Sequence, residues 1–179
     1  MATYEDLLAV PDTQVAELIC GELVVSPRPA IPHAQASSAL GVVVGGPFGF
    51  GVGGPGGWII LFEPEIHLGR DVLVPDLAGW RRERMATAPQ AAFISLAPDW
   101  VCEVVSPGTE KVDRADKLPI YGRQGVLHVW LVNPLSRTLE VYVRENDRWT
   151  LVGTFAGHVK VRAVPFDVAE IDLGLLWPE

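Results

Sequence analysis

The 179-residue sequence predicts a mixed α/β fold. Strand-like runs outnumber helical ones, and the middle of the chain reads strand, strand, strand, helix, strand, which implies a mixed sheet with at least one crossover helix. Neither an internal repeat nor a second-domain linker is visible, so one domain over residues 1–179 is expected. A chain of this length buries roughly two thirds of its unfolded surface and can hold a core without staples.

Thr3 is placed to cap a short helix running to about Ala9, with Pro11 and Asp12 ending it. Residues 17–25 read as two short strands around Gly21, and residues 27–32 as a rigid proline-rich connector. A helix over 33–44 follows, whose Ala, Ser and Leu content suits close packing on a sheet. Residues 45–57 are mostly Gly and Pro and are expected as a loop. Gly49, Gly51 and Gly54 meet the dinucleotide-binding spacing, but Pro55-Gly56-Gly57 prevents the helix that would hold a pyrophosphate. No Gly-Lys-Ser/Thr follows either, so a nucleotide loop is rejected. Residues 58–62 and 65–68 look like strands, and 73–80 and 100–106 like central ones. A helix over 113–124 has Leu118 and Tyr121 at helical spacing and Gly125 as its stop, with Pro119 expected to distort it. Strands over 127–133, 138–144, 148–154 and near 169–173 complete the chain.

The composition, 49% hydrophobic and 20% charged, is that of a folded globular protein rather than a disordered one. The net charge of −8 argues against a broad basic surface for nucleic acid but leaves room for a local groove. Arg81, Arg82 and Arg84 are candidate phosphate contacts. The sequence lacks an apolar run of membrane-spanning length, and residues 1–9 lack the features of a signal peptide, so no membrane association and a cytoplasmic location are expected. Cys20 and Cys102 belong to no Cys-x-x-Cys pair and are read as buried free thiols.

Chemistry concentrates in the middle of the chain. Glu103, within Asp99-Trp-Val-Cys-Glu-Val-Val-Ser-Pro107, places a carboxylate inside an otherwise apolar strand. Burying such a group alone costs several kcal/mol, so it calls for a hydrogen-bonded partner, a metal or a shifted pKa. Asp76 lies 27 residues upstream in Val72-Leu-Val-Pro-Asp-Leu-Ala-Gly-Trp80, and Lys117 lies 14 residues downstream on the expected helix. If the two strands are neighbours, Asp76 and Glu103 can converge on one hard divalent cation, Mg²⁺ or Mn²⁺. Lys117 could then orient a water or stabilise charge on phosphorus.

This arrangement resembles the PD-(D/E)XK nuclease superfamily and, in detail, its Uma-two family of restriction endonucleases. The likeness runs over most of the chain: Glu17-Leu-Ile-Cys-Gly-Glu-Leu23, His33, Val74-Pro-Asp-Leu77, and above all Pro98 to Pro107 followed by Asp113, Lys117, Tyr121 and Trp130-Leu-Val-Asn-Pro134. It implies a restriction-endonuclease-like core, a mixed β-sheet flanked by helices, and metal-dependent hydrolysis of phosphodiester bonds, most simply of DNA. Asp76 and Glu103 would bind the metal, with the carbonyl of Val104 as a further ligand and Glu17 as an accessory acid. The superfamily's lysine normally lies two residues after the glutamate, where this chain has Val105, and Lys117 on the next helix would replace it. Cys20 and Asn133 depart from the family pattern away from these positions, while Pro119 stands close to Lys117.

Each residue also has a purely structural reading: Asp76 as a turn cap, Glu103 as a satisfied strand carboxylate, Lys117 as a solvated helix charge and His33 as a helix-start residue. Asp113 reads as an N-cap or a partner of Arg114. A nuclease-fold protein that binds without cutting and a hydrolase of small phosphoesters are the competing functions. A homodimer is also consistent with the apolar strands and with Trp130 and Trp149.

Overall fold

The computed structural model describes residues 1–178. Helix α1 (Tyr4–Leu8) is short and held by a reciprocal cap, in which the Thr3 hydroxyl accepts the Asp6 N–H and the Asp6 carboxylate accepts the Thr3 N–H at 2.8 Å. Leu7 packs with Leu18 and Val72. Strands β1 (Val15–Ile19) and β2 (Glu22–Ser26) form a hairpin whose turn residues, Cys20 (φ 53°) and Gly21 (φ 86°), are both left-handed, matching the twist of the strands. Cys20 is therefore exposed at the turn, contrary to the expected buried thiol, whereas Cys102 is buried.

Helix α2 (Ile31–Val44) begins two residues before the expected start, because Pro32 sits in the first turn, where its missing N–H is harmless. It then continues as a π-helical stretch, Gly45–Phe50, closed by Gly51 at φ 71°. That stretch was expected to be loop. Phe48, 1% exposed and 4.6 Å from Phe166 between ring centres, anchors it and overrides the poor helix propensity of its glycines.

The central sheet has six strands in the order β10-β9-β8-β7-β6-β3, comprising β3 (Trp58–Phe62), β6 (Leu77–Arg81), β7 (Trp100–Val104), β8 (His128–Asn133), β9 (Thr138–Glu145) and β10 (Arg148–Ala156). Only β7 and β8 run parallel, and the crossover between them passes through the expected helix. A four-stranded sheet, β2-β1-β5-β4, adds β4 (Ile66–Leu68) and β5 (Asp71–Leu73), while β11 (Lys160–Val161) and β12 (Ile171–Asp172) pair separately.

The single strand expected over 73–80 is thus two strands in two sheets. The break falls where Pro75 has no N–H for a ladder, the Val74 N–H goes to the Glu17 carboxylate at 2.8 Å, and the Asp76 carbonyl accepts the Glu63 N–H. Two apolar cores line the central sheet. One contains α2 together with Trp58, Trp100, Trp130 and Phe166, and the other contains the crossover helix with Val101, Val105, Ile120 and Tyr121. Trp130 is wholly buried, and the half-buried Trp149 donates its indole N–H to the Leu118 carbonyl.

Candidate active site

β6 and β7 pair antiparallel with Leu77 opposite Cys102. Asp76 immediately precedes β6 and lines the same cavity as Glu103 of β7. Asp76 ties this corner together: its Oδ2 accepts the Val104 N–H at 2.7 Å, and its Oδ1 lies 3.2 Å from Nε2 of His33 on α2.

The crossover supplies the opposite wall in three consecutive pieces: α3 (Glu110–Val112), a π-helical turn (Asp113–Lys117) and α4 (Leu118–Arg123). In the π turn the Leu118 N–H bonds to the Asp113 carbonyl, five residues back. Pro119 follows at once and distorts the helix as expected, but the widened turn absorbs it without turning Lys117 away. Asp113, Lys117 and Tyr121, spaced by four residues, all reach the cluster around Glu103. Lys117 Nζ lies 2.9 Å from Glu17, 3.4 Å from Glu103 and 3.5 Å from Asp113, and the Tyr121 hydroxyl donates to Glu103 at 2.5 Å. Glu17, Glu103, Asp113 and Lys117 are each at most 5% exposed.

The charges of this cluster govern one another. Burial raises the Glu103 pKa well above the carboxylate range; Lys117 opposes that shift, while Asp113, Asp76 and Glu17 reinforce it. Asp113 is raised by burial in the same way, against Lys117 and a hydrogen bond from Thr109. For Lys117, burial pulls downward, yet the carboxylates of Glu103, Glu17 and Asp113 outweigh it and hold the amine well above its ordinary value. Lys117 is therefore an ammonium at neutral pH. His33 is likewise raised, with burial opposing and Asp76 prevailing.

These groups line one cavity of about 370 Å³, at the small end of ligand pockets. The donor set suits a hard divalent cation in kind and in charge, because three acids, Glu17, Glu103 and Asp113, surround the Lys117 ammonium and a fourth, Asp76, lines the same cavity. Among the described residues no group of three or more His, Cys, Asp or Glu side chains forms a ready-made metal nest. Magnesium needs no such nest, since it is commonly held by one or two carboxylates and keeps several waters.

A family model described as "Putative restriction endonuclease", that of Uma2, matches residues 1–172. The chain belongs to the Uma2 family. A crystal structure of "a putative nuclease belonging to DUF820" from Anabaena variabilis matches this Uma2 chain with a TM-score of 0.76 and 22% identity, over 99% of this chain and 98% of that one. At that identity the likeness speaks for the fold. No curated protein matches.

Several expectations about this Uma2 site need correction or addition. Asp113 does not pair with Arg114, which instead forks onto Glu140 at 2.8 and 2.9 Å and reaches Glu110. His33 is more than a helix-start residue, because its ring meets Asp76. Tyr121, to which the sequence assigns no role, is the hydroxyl donor to Glu103. The repeat of Asp113, Lys117 and Tyr121 every fourth residue was the available signal. Arg81, Arg82 and Arg84 do not line the cavity: Arg81 stacks over Trp58, Arg82 binds the Ala86 carbonyl and Arg84 pairs with Asp99.

Proposed function

We propose that this Uma2 protein is a divalent-metal-dependent endonuclease that hydrolyses phosphodiester bonds of DNA. The observation that carries the reading is the convergence of Asp76, Glu103 and Lys117 on one cavity, from two paired strands and the crossover helix. Asp76 and Glu103 would hold Mg²⁺ or Mn²⁺, with the Val104 carbonyl as a further oxygen. The bound ion would supply Lewis acidity to the phosphoryl group and to water. Glu17 acts as the accessory acid by orienting Lys117, since its Oε1 already accepts from the Val74 N–H and the ammonium.

The charge on Lys117 defines its part. An ammonium donates and cannot take a proton, so it orients the attacking water and stabilises charge building on the phosphate oxygens. Tyr121 fixes the Glu103 carboxylate, and His33 does the same for Asp76.

The test is cleavage of plasmid and oligonucleotide DNA with Mg²⁺ or Mn²⁺, comparing the parent with Glu103→Gln. The variant is expected to lose cleavage and to bind Mn²⁺ more weakly by calorimetry while keeping its circular dichroism spectrum; undiminished cleavage would overturn the mechanism. A second reading, a nuclease fold that binds without cutting, is favoured by the engagement of Lys117 with three carboxylates. It predicts no cleavage by the parent with either ion.

A further inference from the structure

A polyanion entering this cavity meets a wall of acids, Glu17, Glu63, Asp76, Glu103 and Asp113. Of the three basic side chains that also line it, Lys117 is committed to three carboxylates and His33 to Asp76. Arg28 differs from both. It is exposed, it forms no ion pair among the described residues, and its guanidinium makes only one hydrogen bond, to the Asp12 carbonyl at 3.1 Å. It also borders a second cavity of about 320 Å³, which shares Val15, Arg28, Glu63 and Val74 with the first.

We infer that Arg28 is a substrate-positioning residue, which grips a phosphate next to the reacting one where the two cavities meet. The inference rests on the nuclease reading above. Arginine suits the task because it is always charged and its planar fork matches two phosphate oxygens. Leaving a neutral carbonyl for a phosphate exchanges one hydrogen bond for a two-pronged contact in which both partners are charged. The backbone is prepared as well. Arg28 stands between Pro27 and Pro29, so it is biased to extended geometry and little of its main-chain freedom is lost on binding. Beyond it, Leu7, Leu8, Val10 and Pro11 offer the second cavity apolar surface for a sugar or base.

The experiment is fluorescence anisotropy of labelled duplex and single-stranded oligonucleotides in Ca²⁺, from about 50 to 200 mM salt, for the parent, Arg28→Ala and Arg28→Lys. One lost phosphate contact lowers the slope of log K against log salt by about 0.9 on duplex or 0.7 on single strand, and weakens binding to all sequences alike. Arg28→Lys should regain the slope but not the full affinity, and in cleavage assays Arg28→Ala should raise KM with kcat unchanged. A parent that binds while Arg28→Ala keeps its affinity and slope overturns the assignment of Arg28 alone. A parent that binds no oligonucleotide overturns the nuclease reading and this inference with it.

Discussion

Replacing Lys117 by Met keeps the side chain's length and apolar stem but removes the one ammonium within reach of Glu17, Glu103 and Asp113. At 2.9, 3.4 and 3.5 Å, each contact amounts to about 5 kcal/mol of gross attraction at an effective dielectric of 20. Most of that is offset by the desolvation of the ions, and deletion of one member of a buried pair is typically destabilising by about 3–5 kcal/mol. For a chain of this size the melting temperature should fall by roughly 6–20 °C. The sign of the pH dependence follows from the shifts. Glu103 and Asp113 sit above their ordinary values in the folded chain, so the native state holds more protons than the unfolded one. The parent's stability therefore falls as pH rises from about 4 through the folded values of these acids. The contribution of Lys117, whose folded value is raised, is fully present below its ordinary 10.5 and is lost only as pH climbs through the higher folded value. Without Lys117 the acids rise further, so the deficit of the variant should be largest near pH 8 and shrink toward about pH 5, where protons replace the ammonium. Urea denaturation at both pH values measures this. Equal stability of variant and parent near pH 8, or a deficit that does not change with pH, would refute a charged lysine among buried carboxylates.

Two further outcomes are expected. The His33 ring should titrate above 6.5 by NMR, and Asp76→Asn should move its midpoint downward, because the carboxylate is what overcomes burial; an unmoved midpoint would separate the two groups. Gly79→Ala should be destabilising by about 1–3 kcal/mol in thermal or chemical denaturation, since the added Cβ would lie 3.1 Å from Trp100 and 3.3 Å from Trp58 inside a filled core.

Much of this molecule was legible in its residues. The apolar strands around Asp76 and Glu103, the crossover helix and its stop at Gly125 follow from local pattern, and so does the distortion at Pro119. What local pattern could not supply was direction. The strand over 73–80 looked continuous because both halves are apolar, and its division became visible only with the diversion of the Val74 N–H to Glu17, 57 residues away. Likewise, Phe48 holds a glycine-rich stretch helical through aromatic partners as far away as Phe166. At the candidate site, the paired acids and the lysine were readable as types, but the roles of His33 and Tyr121 depend on which groups they meet across the fold. The clustering of Arg81, Arg82 and Arg84 is local too, and the fold gives each its own partner away from the cavity.

The corner at Pro75 and Asp76 bears on how related sequences should be read. The Asp76 side chain fastens β7 through the Val104 N–H and α2 through His33, at the point where the chain leaves one sheet for the other. A descendant that had lost all chemistry would still suffer in folding if this residue were replaced, so its retention in a relative testifies to architecture as much as to turnover. Glu103 differs in that its carboxylate meets side chains at the cavity, Tyr121 and Lys117.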